Sequence, residues 1–299
     1  MSEVKLARVF PRKTKATPED NYAFVGSPPL FLPEIDKVHI SVTFTYDIPE
    51  AEKLAKAWET IAPIKIGGPA FDDPGEEFIP GRYLQPGYVI TSRGCPNNCW
   101  FCSVPKREGN IRELPITGGH NVLDSNILAC SDKHIRAVFA MLKRQKKKAE
   151  FTGGLEAKIL QDWHIDLLWE LRPKRMFFAY DTPDDLEPLV VAGNKLRYAN
   201  FTRSHMACYV LIGWPKDTFE NAKRRLLQTW KAGFLPMAML WKNKNGDEDP
   251  EWRRFQRAWA LPVITKNIIK EIGMKGFYFD EMVGHADLGK WKKLKGADR

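Results

Sequence analysis

The sequence predicts an α/β protein: a partial (β/α)6 TIM-like barrel, open on one side, preceded by a small α/β unit. Three observations lead there. Strand-like and helix-like segments alternate along most of the chain, the order that builds parallel sheets. Gly and Pro gather between residues 67 and 87, which sets a small α/β unit, 1–87, apart from the run 88–241. Five or six β/α repeats follow Tyr88, and residues 242–299 form a helical, basic extension.

In chain order, Val38–Phe44 (VHISVTF) reads as a strand and Pro49–Ile61 as a helix. Pro49 suits a first helical turn, and Leu54, Ala57, Trp58 and Ile61 share one face. Pro63–Gly68 is a second strand, followed by the Gly/Pro-rich loop. Tyr88–Ser92 is a strand leading into a cysteine cluster, and Asn121–Leu128 the next strand. Ser131–Gln145 is a helix capped by Ser131. EFTGG ends a strand at Gly153–Gly154, with a helix near Trp163–Leu171. Arg175–Asp181, Cys208–Pro215 and Leu235–Trp241 are further strands, with a helix after the first and the helix Thr218–Gly233 after the second. In such a barrel the chemistry belongs at the C-terminal ends of the strands.

The composition, 43% hydrophobic and 28% charged over 299 residues, excludes a disordered or fibrous chain and allows a sizeable core. No apolar run approaches the roughly 20 residues of a membrane span. MSEVKLARVFPRKTK carries basic residues without a hydrophobic segment behind them, so it does not read as a secretory signal. A cytoplasmic protein is expected. Five cysteines, three of them within eight residues, suit a metal role in a reducing compartment better than a disulfide scaffold. The net charge of +9 leaves a polyanionic partner open without requiring one.

The informative segment is ITSRGCPNNCWFCSVPKREG, residues 90–109. Cys95, Cys99 and Cys102, spaced Cys-x-x-x-Cys-x-x-Cys, can hold three irons of one [4Fe–4S] cluster and leave the fourth without a protein ligand. That open iron is what chelation of S-adenosyl-L-methionine (SAM) by its amino and carboxylate groups requires. A zinc site is the alternative, but it wants a fourth Cys or His close by. Cys130 and Cys208 stand alone, as does His120 in a loop.

RGCPNNCWFC resembles the cluster loop of the radical SAM superfamily, above all its methylthiotransferase-like and cobalamin-associated branches. The resemblance covers roughly Tyr88 to Trp241. It implies an adenine contact for Phe101, and polar contacts near the SAM amino group for Asp124 and Asn126 of NVLDSN. FTGGLEAKIL resembles a strand end serving the SAM ribose and carboxylate, where Glu156 matches the acidic residue and Lys158 stands where Arg is usual. FFAYDT points to Asp181 and Thr182, and YVLIGWPKDT, like the family's adenine strand, to Ile212, Gly213 and Trp214. An external flavodoxin- or ferredoxin-like electron donor is implied as well. The first unit resembles the later part of a cobalamin-binding Rossmann domain in VHISVTFTYDIPEAEKLAKAW and IKIGGP. It lacks the Asp-x-His-x-x-Gly signature, and His39 is its only histidine, so a shortened remnant is expected rather than a cobalamin site.

Arg144–Glu150 and Lys290–Arg299 are the densest basic runs, and with Trp252, Trp259 and Trp291 they could form a nucleic-acid surface. Three functions stand: a radical SAM enzyme acting on a small molecule or nucleotide, one modifying tRNA or DNA, and a non-catalytic Fe–S or zinc protein. The substrate and the bond broken are not legible.

Overall fold

A computed structural model describes residues 4–75, 77–243 and 245–274. They fall into two compact units, 4–125 with 245–246, and 126–243 with 247–274. The protein is α/β, with all of its larger sheets parallel.

In the first unit, strands β1 (Leu6–Phe10), β2 (Ala23–Val25), β3 (Lys37–Ser41) and β4 (Ile64–Gly67) form a parallel sheet in the order β2-β1-β3-β4. Helix α1 (Ile48–Trp58) lies between β3 and β4 in the chain, with Ala51, Leu54 and Trp58 buried. These side chains pack with Val9, Val38, Ile40 and Val42 in one apolar cluster. Pro49 sits in the first turn of α1. Strands β1 and β2 escape the sequence pattern. At the middle of β1 stands Arg8, a charge that breaks the apolar run. It is nevertheless buried, paired with Asp20 and donating to the carbonyls of Gly81 and Arg82, both at 3.1 Å.

The expected strand Tyr88–Ser92 is divided. β5 (Tyr88–Val89) pairs in parallel with β8 (Asn121–Val122), whereas β6 (Ser92–Arg93) pairs antiparallel with β7 (Arg112–Glu113). A short helix α2 (Val104–Glu108) lies inside the loop that β6 and β7 close.

In the second unit, β9 (Glu150–Phe151), β10 (Arg175–Ala179), β11 (Met206–Ile212) and β12 (Leu235–Leu240) are parallel, each beside the one before it in sequence. The intervening helices are α3 (Asp132–Lys143), α4 (Asp162–Leu171), α5 (Leu186–Tyr198) and α6 (Phe219–Lys231). Six of the seven residues of β11 are buried, as expected for a strand covered on both faces. Among the described residues β12 ends the row, the edge position at which Pro236 is tolerated. Ser131 and Thr218 cap α3 and α6 by accepting the backbone N–H groups of His134 and Asn221.

After β12 come α7 (Pro250–Ala260) and α8 (Pro262–Glu271), the helical extension expected from residue 242. The nucleic-acid surface expected there needs correction in part. Trp259 is buried and Trp252 is half-buried against Phe219, ring centroids 4.2 Å apart, so these indoles are spent on packing. Trp291 and the run Lys290–Arg299 lie outside the described residues. Among the described residues no helix is long and apolar enough to cross a membrane.

Candidate functional site

The cysteine loop is closed at its neck by the β6–β7 pair, with Ser92 opposite Glu113 and Arg93 opposite Arg112. Immediately inside the neck, Gly94 adopts φ +85°, and a Cβ there would stand 2.2 Å from the Asn110 carbonyl oxygen. Only glycine fits this left-handed turn without moving the Gly109–Asn110 backbone. The Cys95 N–H donates to the Gly109 carbonyl at 3.1 Å, and the Cys102 N–H to the Cys99 carbonyl at 3.1 Å. Both ends of the motif are therefore fixed by backbone.

Glu108, at the end of α2, is the clamp beneath the loop. Its buried carboxylate accepts the Gly94 N–H at 2.9 Å and pairs with Arg107 at 2.8 Å and Arg93 at 3.6 Å. Burial draws the Arg93 guanidinium below its ordinary range. Cys95, Cys99 and Cys102 are half-buried. Phe101 meets Trp100 edge-on, centroids 5.3 Å apart, and Trp100 is exposed.

Among the described residues no three His, Cys, Asp or Glu side chains stand as a ready-made metal cage. The donor set fits an iron–sulfur cluster all the same: three half-buried thiols on one short loop, pinned at its neck. A structural zinc site takes four protein donors, whereas a cluster open at one iron takes three, the number this loop supplies. Cys130 and Cys208 are buried, and burial raises the Cys208 thiol pKa well above its usual range. An inert structural thiol is the consequence.

Asp124, also in the first unit, is almost fully buried. It accepts the Thr91 N–H and Thr91 hydroxyl, both at 2.6 Å, and the Ser92 hydroxyl at 2.7 Å. It thus braces the segment between β5 and β6.

The other SAM candidates belong to the second unit, where they form three groups. The Asn126 amide donates to Glu156 at 2.6 Å. Lys158 pairs with Asp185 at 3.0 Å, which raises the lysine pKa. The other Asp185 oxygen accepts the N–H groups of Asp181 and Thr182 and the Thr182 hydroxyl, at 3.1, 2.8 and 3.0 Å. Burial pushes the Asp185 pKa up, yet these donors and Lys158 bring it below the usual value. Asp181 accepts the Leu211 N–H at 3.0 Å, but burial dominates and raises its pKa to about 6.

The third group is the end of β11. Ile212 is buried, and the Gly213 N–H donates to Asp217 at 2.9 Å. Asp217 pairs with the buried Arg225 at 2.7 Å, and Arg225 donates to the Leu211 carbonyl at 2.9 Å. The same guanidinium lies 4.4 Å from the Trp214 ring centroid. Sequence reasoning missed Asp185, Asp217 and Arg225. Only the Asp217–Arg225 spacing of eight, bridging a strand end and helix α6, offered a signal.

No family model matches the chain. Among curated proteins it is similar to the ribosomal protein uS12 methylthiotransferase RimO of Stutzerimonas stutzeri, at 24% identity over 213 residues. That match covers 65% of this chain and 46% of the relative. The same-named protein of Brucella ovis is 26% identical over 199 residues, 59% of this chain and 43% of the relative. That of Pseudomonas putida strain F1 is 24% identical over 209 residues, covering 66% and 46%. The chain spans somewhat less than half the length of these relatives. They lie in the branch to which RGCPNNCWFC pointed, and enzymes of that branch use [4Fe–4S] clusters and SAM.

Proposed function

We propose that this chain, a relative of the radical SAM methylthiotransferases, is a cytoplasmic radical SAM enzyme that cleaves SAM reductively. The carrying observation is the Cys-x-x-x-Cys-x-x-Cys loop, closed by β6–β7 and clamped through Gly94 by Glu108. Cys95, Cys99 and Cys102 would hold the cluster. Bound there and reduced by an external flavodoxin- or ferredoxin-like donor, such a cluster would supply the single electron for cleavage of the SAM sulfonium to methionine and a 5′-deoxyadenosyl radical, which would take a hydrogen from substrate.

The chain's own residues would bind and orient SAM. Phe101 offers an aromatic face, and Glu156, steadied by the Asn126 amide, offers acceptor oxygens. Lys158 contributes a point charge held in place by Asp185, and the same Asp185 fixes Asp181 and Thr182. Ile212, Gly213 and Trp214 form the end of β11, locked by Asp217 and Arg225. Asp124 acts one step back, by fixing the segment that leads into the cysteine loop. We take residues 88–241 as the span of a partial barrel. The successive parallel order of β9 to β12 supports this.

The relatives' printed name favours a second, finer reading in which the radical prepares a carbon for methylthio transfer to a protein side chain. A small molecule or nucleotide, or a tRNA or DNA, remains the competing substrate class. Anaerobic reconstitution tests the core of the proposal: about four irons per chain are expected. Replacing Cys95, Cys99 or Cys102 by Ala should abolish both the cluster absorbance and 5′-deoxyadenosine formation, while Cys130→Ala and Cys208→Ala preserve them. Stoichiometric zinc, or full activity in a Cys95, Cys99 or Cys102 variant, would sink it.

A further inference from the structure

Two basic segments meet at the N-terminal ends of β9 and β10, the opposite end of these strands from the residues assigned to SAM. One is the end of α3 and its link to β9, where five of the six residues 143–148 are Lys or Arg. The other leads from α4 into β10 and carries Arg172, Lys174 and Arg175. Strand pairing holds the two together. Glu150 of β9 stands opposite Arg175 of β10, and the Lys174 N–H donates to the Ala149 carbonyl at 2.7 Å. Paired strands run about 4.8 Å apart, so the links lie side by side. Residues 143–150 and 170–175 hold eight cations against two carboxylates, and these two are engaged, Glu150 by Lys174 at 2.8 Å and Glu170 by Lys143. The helix dipole accounts for Lys143 in the last turn of α3 and for Arg144 at its C-cap. It fades within that turn, so Lys146, Lys147 and Lys148 gain nothing from it. They are exposed on consecutive residues, and their mutual repulsion disfavours the compact state until an anion answers them. Their link is anchored on either side: the Gln145 amide donates to the Met141 carbonyl at 3.2 Å, and Ala149 is buried.

An exposed aromatic stands beside these charges. Trp169, one turn before the end of α4, is 37% exposed. Arg172 ends that helix in the left-handed conformation, φ +49°, with its guanidinium 4.8 Å from the Trp169 ring centroid. The geometry points to a docking surface for single-stranded nucleic acid here, with phosphates on Lys146, Lys147, Lys148 and Lys174 and a base against Trp169 and Arg172. Indole and guanidinium planes accept any base face, and lysines meet only the backbone, so binding without sequence preference follows. The indole differs in kind from those of the C-terminal extension, since Trp252 and Trp259 are spent on packing whereas Trp169 keeps its exposure. None of these side chains belongs to the proposed SAM site, so the surface is tested independently of that reading.

The test is fluorescence anisotropy of the full chain with a labelled oligouridylate, titrated between about 50 and 200 mM salt. Each phosphate neutralised on a single strand adds about 0.7 to the slope of log affinity against log salt. Changing Lys146, Lys147 and Lys148 together to Gln should therefore flatten the slope by about 2 and weaken binding about tenfold or more at the lower salt. Changing Lys53, Lys56 and Lys65 of the first unit, also exposed, removes the same charge and should leave affinity and slope unchanged. Trp169→Ala should weaken binding about tenfold at unchanged slope, whereas Trp169→Phe, which keeps a flat ring, should retain most of the affinity. The lysine variant alters only exposed side chains, so its result stands even if Trp169→Ala fails to fold. The inference fails if the oligonucleotide does not bind, if the lysine variant keeps the wild-type slope, or if the first-unit variant loses as much. A folded Trp169→Ala with wild-type affinity would overturn it too. Vesicles of phosphatidylcholine and phosphatidylserine are the competing probe: tighter binding to them, lost with the same three lysines, would overturn it in favour of a membrane surface.

Discussion

Replacing Glu108 by Ala should loosen the cysteine loop without unfolding the rest of its unit. The carboxylate is 4% exposed and meets the Gly94 N–H, Arg107 and Arg93, whose own side chains are 12% and 18% exposed. Removing one member of a buried ion pair costs about 3–5 kcal/mol, because the remaining charges are stranded. The Arg93 contact is long, at 3.6 Å, and both arginines keep some water, so the lower end, about 3 kcal/mol, applies. This free energy belongs to local opening of the neck and corresponds to an increase of about 10²-fold in the open population. Hydrogen exchange at the Gly94 and Cys95 amides should accelerate by that factor, and iron loading after reconstitution should fall. Glu108→Gln keeps an acceptor for Gly94 but loses the charge, so an intermediate acceleration of about tenfold is expected. Wild-type exchange rates in Glu108→Ala would refute the clamp, as would identical behaviour of the Ala and Gln variants.

Gly94→Ala should be at least as damaging to cluster assembly, since it adds the cost of a left-handed non-Gly residue, about 1–2 kcal/mol, to a backbone collision; full iron content would disprove it. Asp181 has a native pKa of about 6 against an ordinary 3.8, so the native state binds more protons than the unfolded one between these values. Its contribution therefore destabilises the second unit as pH rises from about 4 to 6, by up to about 3 kcal/mol, and is constant above. Asp181→Asn should remove that slope in denaturation curves taken across the range, and an unaltered slope would rule the assignment out. His164, whose pKa burial lowers to about 4, acts with opposite sign, losing stability as pH falls below 6.5, so the comparison must be wild type against variant. Glu156→Ala should weaken SAM binding roughly ten- to a hundredfold while the cluster spectrum persists. An unchanged SAM affinity would mean that the pocket was placed on the wrong strand ends.

Local signals were legible in the sequence where local chemistry decides. The cap of α3 at Ser131 and the start of α6 at Thr218 were readable because the capping oxygen lies three residues from its donor. Breaks set by distant partners were not. Tyr88–Ser92 looks like one strand, yet Asp124, 33 positions from Thr91, takes that residue's N–H and stops the parallel ladder. The expected strand Asn121–Leu128 is likewise shortened to Asn121–Val122, after which Ile127–Ala129 winds into a single 3-10 turn. Around the candidate site, the cysteines and the strand-end residues could be named from their motif. Asp185 could not, because an acidic residue before a helix reads as a cap. Only the fold reveals that Asp185 gathers Lys158, Asp181 and Thr182.

The position of β1 has a kinetic consequence. The first strand of the chain lies inside its sheet, flanked by β2 and β3, so its neighbours are synthesised soon after it. Pairings of such short separation close small loops and can form early. Arg8 does not follow that schedule, because its carbonyl acceptors lie 73 and 74 residues downstream. Until residues 81 and 82 have emerged, the growing sheet holds a guanidinium answered only by Asp20. A nascent chain halted short of them would keep β1 sampling water. The segment beyond β4 is then the latch that ends this sampling, and the sheet acquires its final cohesion only after all four of its strands have been made.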